Sequence, residues 1–114
     1  MWGVILWQPT EKHIAGMINC MPFQAKAGQE EALFKAFAEY MRDYLFEDIK
    51  HYIFDLGTGE YALIGVHQSV ESLIEIVKRE NRVSDLMRLY VEPYGDGESF
   101  HSFSGPVVNY DEYL

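Results

Sequence analysis

The stretch "IKHYIFDLGTGEYALIGV", Ile49 to Val66, constrains this chain more than any other. Two runs of β-branched and aromatic residues flank "LGTGE", whose glycines supply the positive φ angles of a tight reversal. The segment therefore reads as an antiparallel hairpin. Neither run alternates in polarity. A strand with one wet face reads apolar, polar, apolar, whereas "HYIF", "YALIGV" and the upstream "GMINCM" are apolar on both faces. Strands of this kind require cover on both sides.

The flanking segments say what covers one side. "IAGMINCMPFQ", Ile14 to Gln24, reads as a strand. The "KAGQ" after it holds one glycine, Gly28, and a phosphate loop needs several, so this is read as a strand-to-helix turn. In "QEEALFKAFAEYMRDYLF", Leu33, Phe34, Phe37, Tyr40, Met41 and Tyr44 fall at helical spacing, and the leading acidic residues suit the helix dipole. Ser69 is placed to cap a second helix, "VESLIEIVKREN", with Leu73, Ile74, Ile76 and Val77 inward. Ser84 is expected to cap a third piece, "SDLMRLYVEPY", which Pro93 ends. "SFHSFSGPVVNY" reads as the last strand, bent at Gly105-Pro106.

The order is β-α-β-β-α-β, the ferredoxin-like α+β motif: a four-stranded antiparallel sheet with helices on one face. It spans residues 14–110, after an extension over 1–13 and before a tail over 111–114. With 114 residues the chain makes one domain and has no third layer for the other sheet face. A second copy of the same face is the simplest cover, so a homodimer is expected. The apolar "MWGVILW", with Trp2 and Trp7, is expected to pack on the barrel or its partner.

Charge excludes some partners. A net charge of −9, with the basic residues scattered, argues against nucleic acid and against an anionic membrane surface. No run approaches membrane-spanning length, and the apolar start lacks the basic lead-in of a signal peptide. A cytoplasmic protein is expected. The lone Cys20 lies in an apolar run and reads as a buried filler.

Three pieces carry a resemblance: "KAGQEEALFKAF", "YALIGVHQSVESLIEIV" and "VSDLMRLYVEPY". In these the chain resembles the dimeric α+β barrel superfamily, and within it the antibiotic-biosynthesis-monooxygenase-like domains, over roughly Gly16 to Val108. The resemblance implies a dimeric barrel. It further implies cofactor-independent oxygenation of a small aromatic or quinone-like molecule, or else a barrel that binds an apolar ligand or another protein without chemistry. His67 stands where that family commonly has a tryptophan beside its pocket, and Asn19 lies on the strand from which relatives present an asparagine. The haem-degrading members carry a ligand histidine in the second helical region. This chain has no histidine between Gln68 and Phe100, which argues against haem degradation.

The residues themselves point the same way. An imidazole at His67 can act as a base near neutral pH, where the plainer role is a strand-end bond to the loop. Asn19 is an amide in an otherwise apolar strand and needs partners or a pocket. Tyr40, Tyr44 and Tyr90 are candidates to line a pocket between sheet and helices, against a plainer role in the core. The four histidines, His13, His51, His67 and His101, show no metal-ligand spacing, so no metal and no cofactor are expected. Three of them lie at strands, and chance scatter is the simpler reading of that.

Overall fold

A computed structural model describes residues 16–43, 49–79 and 82–114; the expectations for the N-terminal extension and for Tyr44 fall outside these. The chain forms β1 (Met17–Ala25), α1 (Glu30–Asp43), β2 (Ile49–Gly57), β3 (Glu60–His67) and α2 (Val70–Val77). Then come α3 (Val83–Met87), a 3-10 turn (Arg88–Tyr90), β4 (Val91–Glu92) and β5 (Phe103–Pro106). Strand order is β2-β3-β1-β4, with β5 also on β1 and every pairing antiparallel. This is the ferredoxin-like order expected from the sequence.

The expected last strand, Ser99 to Tyr110, forms only over β5, and β4 adds a short strand within the stretch expected as helix, so the sheet has five strands among the described residues. β4 pairs with Gln24 and Ala25, and β5 pairs with Met17 to Cys20 farther along the same edge. Pro93 has no N–H for a ladder, and the chain leaves the sheet there. It closes a turn through Tyr94 N–H to Glu98 O at 2.8 Å and Gly97 N–H to Tyr94 O at 2.8 Å. It rejoins β1 where His101 N–H donates to Pro22 O at 3.1 Å.

Two other expectations are corrected. The third helical piece ends at Tyr90, because the β-branched Val91 is buried in the core as a strand residue and not carried on to Pro93. Ser84 lies inside α3 and is buried; the cap position is Arg82, whose side chain makes no cap bond. Ser69 does cap α2, accepting from Ser72 N–H at 3.1 Å. Of the four residues expected to face inward on that helix, Leu73 and Ile76 are half-buried, whereas Ile74 and Val77 are exposed. The inward place one turn past the cap goes to Ser72, which is buried and bonded to a strand residue.

The core gathers Phe23, Leu33, Met87 and Val91 with Met21 and Leu63. Phe23 stacks on Tyr61 with ring centroids 6.0 Å apart. Gly28 takes φ +77°, which turns β1 into α1 as expected, and a β-carbon there would meet open space. Gly16 differs: at φ +141° a β-carbon would stand 2.4 Å from the His67 carbonyl oxygen, which is backbone and cannot move aside cheaply. Gly28→Ala is therefore expected to cost about 1 kcal/mol through its dihedral alone. Gly16→Ala is expected to cost about 3 kcal/mol, since a clash is added. Urea unfolding of the two variants side by side checks this; equal losses would dismiss the Gly16–His67 contact.

Candidate functional site

Successive strand residues point to opposite faces, so one face is shared by every second residue. On the face toward the helices the register aligns Asn19 with Gly65 and Gly65 with His51. The next row is Met17, His67 and Ile49. One row the other way lie Met21, Leu63 and Ile53. The helix-side face is thus apolar toward the Gly57–Gly59 turn and polar at the opposite end.

Gly65 explains how two imidazoles fit there. A β-carbon on it would lie 3.2 Å from His67 Nε2 and 3.7 Å from His51 Cδ2 and Nε2. With no side chain at Gly65, both rings lean over its backbone. His67 is buried, and its Nδ1 lies 3.3 Å from Ser72 Oγ on α2. Nε2 is on the Gly65 side. Burial first, and the neighbouring His67 second, lower the His51 pKa to about 4. His51 is therefore neutral at physiological pH. Phe37 of α1 packs edge-on to it, with centroids 6.3 Å apart.

Above this floor lies a cavity of about 40 Å³. Asn19, His51, Gly65 and His67 come from the sheet. Tyr40 and Met41 of α1 and Ile76 of α2 form the roof. Arg82, Val83 and Ser84 close one side, and Met21 and Leu63 the end toward the core. The volume holds a few waters at most, well below the roughly 300 Å³ of a pocket for a drug-sized molecule. Met21 and Met41 are the flexible parts of its wall.

The sequence candidates are thus placed as follows. Asn19, His67 and Tyr40 line one cavity between sheet and helices. Tyr90 packs against the core cluster instead. His51 was not singled out from the sequence, nor were Arg82 and Ser84. The signal for His51 was present in the hairpin: counting outward from the glycine turn pairs His51 with Gly65 and puts both in step with His67. Among the described residues, no three His, Cys, Asp or Glu side chains converge as a metal site.

The opposite sheet face carries the apolarity foreseen for it. One row runs Phe103, Cys20, Ile64 and Tyr52 across four strands, and the next holds Pro22, Ala62 and Phe54. Tyr52 is 55% and Phe103 64% exposed, with Phe54 and Leu56 also exposed. Cys20 is half-buried in this row, and burial raises its pKa. Among the described residues, no helix is long and apolar enough to cross a membrane.

Neither a protein-family model nor the sequence of a curated protein matches the chain. Solved structures do. A conserved protein from Methanosarcina mazei superposes with a TM-score of 0.68 at 7% identity, covering 89% of this chain and 100% of that one. A candidate antibiotic biosynthesis monooxygenase from Chloroflexus aurantiacus gives 0.59 at 14% identity, covering 82% of this chain and 94% of the other. A dimeric ferredoxin-like protein from an uncultured marine organism gives 0.53 at 14% identity, covering 90% and 96%. At such identities the likeness establishes a shared fold, the one the resemblance implied.

Proposed function

We propose that this ferredoxin-like chain is a homodimer joined through its outer sheet face, whose histidine-lined cavity oxygenates a small aromatic or quinone-like molecule without a cofactor. The observation that carries the activity is the convergence of Asn19 and His67 on one cavity enclosed by sheet and helices. The fold shared with a candidate monooxygenase supports it.

In the tautomer that donates Nδ1–H to Ser72 Oγ, Nε2 is the basic nitrogen of His67. That nitrogen takes the phenolic proton, and the Asn19 amide donates to the resulting oxyanion. A phenolate gives an electron to oxygen more readily than the phenol. Combination at the activated ring carbon and loss of water then leave a quinone. One oxygen atom enters the product and the other leaves as water, so phenol and O₂ balance without an outside reductant.

A second reading has its own observation. A cavity of about 40 Å³ takes an aromatic ring only if its methionines move aside. If they do not, the fold is a non-catalytic dimeric barrel that binds an apolar ligand or serves as an interaction module. An oxygen electrode separates the two, using metal-free and flavin-free protein with hydroxynaphthalenes and anthrones. Equimolar oxygen uptake and quinone formation are expected. Binding without uptake supports the second reading, and no binding removes the cavity as a ligand site.

The dimer has a separate check. The row through Tyr52, Ile64, Cys20 and Phe103 leaves Tyr52 and Phe103 exposed at its ends, with Phe54 and Leu56 exposed beside it, and a second copy of the same face would cover them. An obligate interface of this kind buries more than roughly 2,000 Å². Sedimentation should give a dimer at micromolar concentration, and Tyr52→Asp, at an exposed site, should give a folded monomer. A compact wild-type monomer would overturn the claim.

A further inference from the structure

Beside the histidine cavity is an open cleft of about 210 Å³. The two share Met21, Arg82 and Ser84 as a common wall. The cavity sets imidazoles, Tyr40 and aliphatic side chains beside Asn19, Arg82 and Ser84. The cleft is more polar: Arg82, Arg88, Ser84, Glu98, Ser99 and Ser102 line it with Met21 and Phe100. In a chain of net charge −9, this brings two guanidinium groups to one cleft, with one carboxylate, Glu98, in the same lining.

The arginines are not equivalent. Arg88 donates to Asp85 Oδ1 at 2.9 Å, and its guanidinium lies 5.6 Å from the Phe100 ring centre. Its charge is matched. Arg82 has no ion pair among the described residues, and it alone of the two also borders the histidine cavity. A guanidinium fork fits a carboxylate with two parallel hydrogen bonds. The serine hydroxyls can donate as well.

We infer that the cleft is an anion subsite of the cavity, with Arg82 as its specificity-determining residue, and that the ligand is an aromatic ring carrying one carboxylate. The ring lies in the cavity between the imidazoles and Tyr40, in space opened by Met21 and Met41 moving aside, and the carboxylate lies in the cleft on Arg82. A monoanion is specified because only one guanidinium charge is unmatched. A phosphate dianion would leave excess negative charge facing Glu98. This inference rests on the reading of the cavity as a ligand site.

The experiment is calorimetric binding of 1-hydroxy-2-naphthoate and of its methyl ester to the full chain. The acid should bind at least ten-fold tighter than the ester, the range of a charge-assisted hydrogen bond. That preference should weaken as salt rises. Arg82→Gln should cost the acid at least ten-fold more affinity than the ester and so erase the preference, and Arg82→Lys should keep part of it. Arg88→Gln, at a matched charge, should alter the preference less than three-fold. Thermal unfolding of each variant checks that it folds, and if Arg82→Gln does not, the salt dependence and Arg82→Lys decide the matter. Equal binding of acid and ester by the wild type overturns the anion subsite and leaves the cavity reading standing. Equal loss of both ligands in Arg82→Gln also overturns it. Binding of neither removes cavity and subsite together.

Discussion

Replacing His67 with alanine should slow oxygen uptake by about 10²–10⁴, the usual loss when a general base is removed. The group is buried and its Nδ1 is held by Ser72 Oγ, so the ring's position is defined before any ligand arrives. Truncation also removes packing and leaves the serine hydroxyl in a gap, so a fall in melting temperature is expected as well. Two measurements separate the roles. Added imidazole should restore part of the rate of His67→Ala, which a purely structural loss would not allow. The wild-type kcat/KM profile should fall on the acid side, where a general base is protonated, and the variant should lack that limb. Turnover within three-fold of wild type would show that another group takes the proton.

The second large effect is on stability, and it belongs to His51. Its pKa falls from 6.5 to about 4 on folding. Between those values the unfolded chain binds the proton and the folded chain does not. Acid therefore favours unfolding across that window. Above about pH 6.5 both states are neutral and the stability is complete; below about pH 4 both are charged and the loss is complete. The shift corresponds to at most about 3 kcal/mol, reduced by solvent screening at this half-buried ring, and most of it is lost by pH 4.5. Carboxylates titrate in the same range, so the useful quantity is a difference. The gap in unfolding free energy between wild type and His51→Gln should change by roughly 1–2 kcal/mol in favour of the variant from pH 7 to pH 4.5. Protein concentration is held fixed because a dimer's stability depends on it. A gap that does not move with pH would mean that His51 is no more buried folded than unfolded.

How legible the site was depends on the range of the interactions that make it. Asn19 and His67 could be singled out because each breaks a local pattern: an amide inside an apolar strand, an imidazole at a strand end. His51 breaks none. It becomes notable only when Gly65 across the hairpin has no side chain and His67 leans over the same gap. Arg82 lies at a polar break that reads as a solvated surface. It gains a role because α3 folds back beside β1 and sets it between two hollows.

What the sequence determined by itself is what neighbours along the chain decide. The Gly57–Gly59 reversal and the irregularity between Asp55 and Gly57 beside it set the register of β2 on β3 within a few residues of chain. Ser69 caps α2 through a bond three residues away, and Gly28 supplies the positive φ that turns β1 into α1. The two-sided apolarity of the strands announced a face that the helices leave bare. The tertiary structure decided the rest. It divided the edge strand at Pro93, drew Val91 out of a helix into the core, turned Ser72 inward where Ile74 and Val77 were expected, and put Tyr90 on the core while Tyr40 lines the cavity. Ser72 turns inward through its bond to His67, and the break at Pro93 follows from its missing N–H. For Val91 a weak local preference, a few tenths of a kcal/mol to about 1, is weighed against burial of a whole apolar side chain, worth about 1.5–3 kcal/mol. Burial wins there, and it depends on elements that are distant in sequence.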